Sequence, residues 1–301
     1  DLRREVSMTL VSESRTGNAP EFTPAFLTHM RELTPLVQCI TNTVVQEVAA
    51  NILLASGASP AMVDHEADAA AFAKVANGVS VNFGTPSSHT YLSIDAAVQQ
   101  RTEDGTTWVL DPVGLGVAPF RTARVFRALS ERPTVVRGNA SEVAGLAGMG
   151  QGARGIEAVD DVESALPAAS KLSSEYGSVV AISGPVDAIV TTIGETTYVS
   201  HVSGGSTYMP LVVGTGCSLG ALVAGYAGTA HHLLGESATT EEKLTRYHQA
   251  TVTAHAHFAA AGQRAHELAD GPGSFKVHFL DQLHAVTETD LSEINVTTEE
   301  L

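Results

Sequence analysis

Short apolar runs alternate along this chain with stretches of helical spacing, and this rhythm constrains the fold more than any other feature. Leu36–Ile40, Val79–Phe83, Thr107–Leu110, Thr134–Val136 and Val179–Ile182 are too short for helices and rich in β-branched residues. Pro60–Val63 reads as a further strand. Between them, Val44–Ala55, Glu66–Ala76, Thr90–Arg101, a stretch holding Val125–Leu129, and Val162–Tyr176 read as helices. Strands linked through helices run parallel, and the helices cover both faces. The predicted architecture is therefore α/β, with three α/β/α layers around a mostly parallel central sheet.

The rhythm changes after Ile182. Ala188–Thr192 and Thr196–Val199 flank Gly194-Glu195, which predicts an antiparallel hairpin at one edge of the sheet. Long helical patterns follow over Ser218–Ala230, Glu241–Leu268 and Phe275–Val286. No internal repeat or long linker divides the chain, so residues 21–286 form a single expected domain. Residues 1–20 are polar without an apolar signal core and are expected to be a disordered or foreign lead-in; 287–301 are acidic and Thr-rich, an expected solvated tail.

In sheets of this kind ligands bind beyond the carboxyl ends of the strands. Four stretches at such positions carry possible chemistry. Gly214-Thr215-Gly216-Cys217 follows the apolar Leu211–Val213 and opens a helix of small residues. Glycines admit a ligand close to the backbone, and the free amides of a helix start attract an anion; the same pattern also serves as a plain turn before a buried helix. It is neither a Walker A loop nor a GxGxxG fingerprint, because no Lys follows and the third glycine falls at Gly220. Asp111-Pro112-Val113-Gly114 offers a carboxylate for Mg²⁺, or an ordinary Asp-Pro turn. In Arg137-Gly138-Asn139-Ala140-Ser141-Glu142, Arg137 presents a fork for phosphate oxygens and Glu142 a second carboxylate. The alternative there is a capping box between Asn139 and Glu142. Ser183-Gly184 offers a hydroxyl and an amide, or simply a turn.

Charge narrows the partners. Lys and Arg number 17 against 33 Asp and Glu, a net charge of −16, so nucleic acid and anionic membrane are not expected partners. Only four lysines occur, Lys74, Lys171, Lys243 and Lys276, so a phosphate site must rest on backbone amides, arginines and a metal ion. Hydrophobic residues at 44% exclude a disordered chain. Two cysteines, Cys39 and Cys217, make no disulfide framework and fit a reducing cytoplasm. His231-His232 and His255-Ala256-His257 lack metal-binding register on one helix face, and are expected to be solvated or locally hydrogen-bonded.

The motifs resemble those of the hydroxyethylthiazole kinases, within the ribokinase-like superfamily. Cys39-Ile40-Thr41-Asn42, Gly57-Ala58-Ser59-Pro60-Ala61-Met62, Asp111-Pro112-Val113-Gly114, Pro119-Phe120-Arg121-Thr122, the Arg137–Glu142 stretch, Gly214–Cys217 and Gly271-Pro272-Gly273-Ser274-Phe275 occur in one order from about residue 35 to 286. The resemblance implies Mg²⁺- and ATP-dependent phosphorylation of the primary alcohol of 4-methyl-5-(2-hydroxyethyl)thiazole in thiamine salvage. It implies a cytoplasmic homotrimer with active sites between subunits. Carried over by residue, Met62, Gly214 and Asn42 would contact the thiazole. Arg137, Ser183 and Gly216 would contact ATP, Asp111 and Glu142 would serve the magnesium, and Cys217 would sit at the catalytic position. Cys217 stands where most ribokinase-like enzymes carry an aspartate base. Two roles stay open for it: a thiolate with lowered pKa at a helix start that accepts the proton, or a residue that only positions and stabilises charge. Gln38 and Thr43 depart from the family's usual His and aromatic near the substrate end. A related kinase of hydroxymethylpyrimidine, and a non-catalytic thiazole- or nucleotide-binding homologue, are the alternative readings.

Overall fold

The computed structural model describes residues 19–116, 118–149, 151–152, 155–156 and 161–301. In chain order, α1 (Phe26–Leu33) leads into β1 (Leu36–Ile40), α2 (Gln46–Ser56), β2 (Ser59–Ala61), α3 (Glu66–Val75), β3 (Gly78–Asn82), α4 (Ser88–Asp104) and β4 (Trp108–Asp111). Then come α5 (Pro119–Ser130), β5 (Val135–Asn139), α6 (Ala140–Leu146), a small ribbon of β6 (Gln151–Gly152) and β7 (Gly155–Ile156), α7 (Val162–Tyr176) and β8 (Val179–Ser183). The chain finishes with β9 (Val186–Ile193), β10 (Thr196–Ser203), α8 (Thr215–Leu233), α9 (Thr240–Leu268), α10 (Pro272–Ala285), α11 (Glu288–Ser292) and β11 (Val296–Glu300).

Nine strands form one sheet in the order β11-β10-β9-β8-β5-β4-β3-β1-β2. The six from β8 to β2 run parallel, while β9, β10 and β11 are antiparallel. Alternation along each parallel strand fills two cores. Val109, Val135, Val179 and Ala181 pack under α1, α2, α8, α9 and α10. Leu110, Val136, Val180 and Ile182 pack under α3 to α7. This is the three-layer α/β/α arrangement that the sequence rhythm predicts. Helix α8 lies close against the sheet: a Cβ at Gly78 would sit 2.2 Å from the Ala224 carbonyl oxygen, so only glycine admits this approach. That contact fixes the height at which the N-terminus of α8 meets the strand ends.

The hairpin is longer than the sequence suggests, pairing Val186–Ile193 with Thr196–Ser203 around Gly194 at φ 63. Residues 287–301 are not a tail. They contribute α11 and the edge strand β11, which pairs with β10 from Tyr198↔Glu300 to Val202↔Val296. The acidic, Thr-rich composition misleads because an edge strand exposed on its outer side resembles a solvated segment. The expectation for residues 1–20 falls outside the described residues up to position 18. Of the two states expected for the helical histidines, His255 and His257 take the hydrogen-bonded one, with Asp187 and with Tyr226 and the Leu283 carbonyl, while fully buried; His248, not singled out in the sequence, is fully buried as well. His248 Nδ1 lies 2.8 Å from Thr191 Oγ1 and Nε2 2.7 Å from Ser200 Oγ, which in turn lies 2.7 Å from Thr298 Oγ1. Burial pushes its pKa down to about 3, so a neutral imidazole ties β9, β10 and β11 to α9.

Deleting residues 296–301 is therefore expected to lower stability by on the order of 2 kcal/mol, since it removes ladder bonds and a buried side-chain partner. Thermal denaturation measures this, and an unchanged midpoint would mean that β11 contributes nothing.

Candidate active site

Every predicted site residue lies at or just beyond the carboxyl ends of the parallel strands or at the mouth of α8, Met62 at the end of the outermost strand β2. Asp111 ends β4 and is 1% exposed. Its Oδ2 accepts a bond from Asn82 Nδ2 at 2.9 Å and stands 3.6 Å from Arg137 Nη1. Arg137, in β5, donates from Nε and Nη2 to Ser183 Oγ at 3.2 and 2.7 Å. On the other side, Asn82 Oδ1 accepts from Asn42 Nδ2 at 2.9 Å, and the same nitrogen lies 3.4 Å from Cys217 Sγ. One continuous polar chain thus runs Cys217, Asn42, Asn82, Asp111, Arg137, Ser183. It crosses the ends of β3, β4, β5 and β8 beneath the start of α8.

The α8 terminus is shaped by glycine. Gly214 sits at φ 93, and a Cβ there would lie 2.9 Å from Val45 Cγ1, so both backbone and space demand glycine. The helix start has no side-chain cap. Its first amides, from Thr215 to Cys217, therefore have no acceptor within the helix. A Cβ on Gly216 would come 3.2 Å from both terminal nitrogens of Arg137, so guanidinium and helix mouth face one another. Arg137, Ser183 and Gly216 line a cavity of about 740 Å³ together with Asp187, Met209 and Phe258.

Glu142 reaches the site as both sequence readings allow. Its Oε2 accepts the Asn139 amide at 2.9 Å within a capping box, and Oε1 accepts the Gly114 amide at 3.0 Å. It thereby holds the loop after Asp111, where β-branched Val113 adopts φ 26, a strained value for such a residue. Gly214 and Asn42 meet the α8 mouth, whereas Met62 follows β2 and packs against the hydrophobic core away from the cavity lining. Gln38 explains the neighbouring backbone: buried in β1, its Nε2 donates to Val63 O at 2.9 Å and Ala69 O at 3.2 Å.

Sequence reasoning missed Asn82, the residue that joins the two halves of the chain. The signal was present, since Asn82 ends β3 as Asp111 ends β4, but an amide with no metal or nucleophile chemistry attracts no attention. Arg121 was noticed only through the resemblance; its Nη1 donates to the carbonyls of Phe83 at 3.2 Å and Gly84 at 2.9 Å, bracing the loop beyond Asn82.

The electrostatics weigh between the two roles left open for Cys217. Burial, and then the Asp111 charge, hold the Cys217 thiol above its ordinary pKa, so a helix-start thiolate is not favoured. Asp111 is itself pushed up to about 7, first by burial and then by Glu142, against the opposing pull of Arg137 and Asn82. Among the described residues no group of three or more His, Cys, Asp and Glu side chains gathers as a metal site.

Because the folded protein holds the Asp111 proton more tightly than an unfolded chain titrating near 3.8, its stabilising contribution is complete below that pH and is lost as pH rises through about 7. Asp111→Asn removes this dependence. Wild-type stability is expected to fall relative to Asp111→Asn by on the order of 4 kcal/mol from acid to alkaline conditions. Thermal midpoints of the two proteins that stay parallel across this range would contradict it.

The description "Hydroxyethylthiazole kinase family" belongs to the family model that matches residues 27–289. A protein named hydroxyethylthiazole kinase from Corynebacterium glutamicum (strain R) is 48% identical over 260 residues, covering 86% of this chain and 92% of that one. The solved structure of a hydroxyethylthiazole kinase protein from Pyrococcus horikoshii OT3 superposes with a TM-score of 0.75 at 32% identity, covering 92% of this chain and 97% of the other. A pyridoxal kinase from Staphylococcus aureus, solved with AMP-PCP and pyridoxal, shares the fold at TM-score 0.54 and 14% identity, over 88% of this chain and 98% of that chain. With the family match spanning most of the chain and its motif residues converging on one strand-end site, the protein belongs to the hydroxyethylthiazole kinase family.

Proposed function

We propose that this protein transfers the terminal phosphoryl group of ATP to the primary alcohol of 4-methyl-5-(2-hydroxyethyl)thiazole, the salvage step that returns the thiazole half of thiamine to use. The observation that carries this reading is the meeting of Arg137, Ser183 and Gly216 on the wall of one cavity, joined through Asp111 and Asn82 to Cys217. ATP occupies the cavity with its phosphates toward Arg137. The amides from Thr215 to Cys217 receive the transferring group, whose charge spreads over its oxygens. Asn42 and the backbone of Gly214 border the alcohol side, with Met62 further along the same end of the sheet.

Asp111 at the end of β4 and Glu142 in the first turn of α6 are hard oxygen donors, the kind of sparse set that suits Mg²⁺ completed by phosphate oxygens and water. When bound, the ion offsets phosphate charge. Asp111 would hold it directly or through water, and Glu142 would steady the loop that presents Asp111. Cys217 is neutral in this environment and aims the alcohol rather than drawing off its proton early. Phosphoryl transfer through a loose transition state asks little of a base. We further infer a homotrimer: Val44, Leu211 and Val213, more than 60% exposed, surround the α8 mouth and suit burial by a second copy. No helix among the described residues is long and apolar enough to cross a membrane, and we place the enzyme in the cytoplasm.

A coupled ADP-release assay with a panel of alcohols, with and without Mg²⁺, tests the reading. The thiazole alcohol is expected to be preferred over hydroxymethylpyrimidine, with turnover requiring Mg²⁺. Asp111→Ala and Glu142→Ala should lose most turnover while staying folded. Cys217→Ala should stay within about tenfold of wild type, less than the ~10²–10⁴-fold loss that removing a general base brings. Preference for the pyrimidine, or normal turnover in both acidic variants, would overturn the assignment.

A further inference from the structure

The lining of the nucleotide cavity holds, besides Arg137 and Ser183, a carboxylate that the reaction as described does not use. Asp187, at the start of β9, lines the cavity and makes two bonds on the protein side. Its Oδ1 accepts the Gly184 amide at 2.9 Å, closing the loop that begins at Ser183. Its Oδ2 accepts a bond from His255 Nδ1 at 2.6 Å. The two partners differ in exposure: the Asp187 side chain is 19% exposed and that of His255 is 0% exposed. His255 belongs to α9, one turn before Phe258 and Ala259, which also line the cavity. Its Nε2 is buried without a hydrogen-bond partner among the described residues.

A buried ring nitrogen left without a partner is unfavourable and calls for a reason. Packing alone does not supply one, since a leucine would fill the space without a polar atom. The bond to Asp187 does. A carboxylate on the wall of a site for a polyphosphate repels that ligand unless it is held away from the phosphates and turned toward donor groups. The Gly184 amide and the His255 ring hold Asp187 in one orientation. The same carboxylate fixes the turn that carries Ser183, whose hydroxyl is the acceptor for Arg137.

We propose that His255 is a positioning residue for the nucleotide: it orients Asp187, which fixes the Ser183–Gly184 turn and presents a hydrogen-bond acceptor to the nucleoside side of ATP, where hydroxyl and amino donors are found. This rests on the reading of the cavity as the ATP site. The alcohol side of the site takes no part, so the effect belongs to ATP alone.

Steady-state kinetics and calorimetric ATP binding on three variants test it. His255→Leu keeps the volume but removes the donor, and is expected to raise the KM and Kd for ATP about tenfold, the effect of losing one hydrogen bond to a charged group. The KM for the alcohol and kcat should stay within about twofold. His255→Asn, whose amide nitrogen can stand where Nδ1 stands, should restore ATP affinity to within about threefold of wild type. Asp187→Ala, on a partly exposed side chain, should weaken ATP as His255→Leu does, and it decides the matter if the leucine variant does not fold. Unchanged ATP affinity in Asp187→Ala or in a folded His255→Leu overturns the proposal. So does a general loss of activity and thermal stability that Asn fails to repair. A wild-type protein that binds no ATP overturns the cavity assignment first and this role with it.

Discussion

A carboxylate at the end of β4, taken almost wholly out of water, sets the terms for everything around it. Asp111 is tolerated there because Asn82 donates to it and Arg137 stands beside it, yet burial still outweighs both and raises its pKa to about 7. Each neighbour is then constrained in turn. Asn82 must present its amide nitrogen to Asp111, which turns its oxygen toward Asn42 and leaves Asn42 to face Cys217. Arg137 must reach both Asp111 and Ser183, which sets its fork against the glycine mouth of α8. The spacing of four strand ends, the loop after β1 and one helix terminus is therefore set by one chain of hydrogen bonds and an ion pair.

The same chain resolves the conflict between a net charge of −16 and a polyanionic co-substrate. With four lysines in 301 residues, the proposed reaction would rest its attraction for ATP on groups that the overall surface does not dilute: helix amides, one buried guanidinium and a divalent ion. Those groups act over short distances in a region of low dielectric, where surface carboxylates beyond a Debye length have little influence. Cys217 fits this picture as a neutral residue. A thiolate beside Asp111 would add negative charge at the point where the transferring group brings its own.

The parallel strands and their helices were legible in the sequence because both faces of each strand are buried, giving short unbroken apolar runs such as Val179–Ile182. The candidate site was legible for a related reason: strand ends are where such folds bind ligands, and Asp111, Arg137 and Ser183, which the structure brings together, each follow an apolar run. The hidden parts share a different physics. The edge strand Val296–Glu300 draws its stability from backbone pairing with β10, which leaves no mark in side-chain hydropathy. Helix α1, Phe26–Leu33, is short, and its buried Phe26, Leu27 and Met30 become meaningful only against α8 and α9. Of the two roles the sequence leaves open for Cys217, the one that needs a depressed thiol pKa is disfavoured, because helix-start attraction is judged from position, whereas burial and the Asp111 charge depend on the fold.

The most direct test of the central claim is a crystal structure with the thiazole alcohol, Mg²⁺ and a non-hydrolysable ATP analogue. The account places the terminal phosphoryl group within hydrogen-bond reach of the Gly216 and Cys217 amides and of Arg137, with the alcohol oxygen approaching it from the Asn42 side. A nucleotide seated elsewhere, or phosphates turned away from the α8 mouth while Asp111 faces no ion, would contradict it.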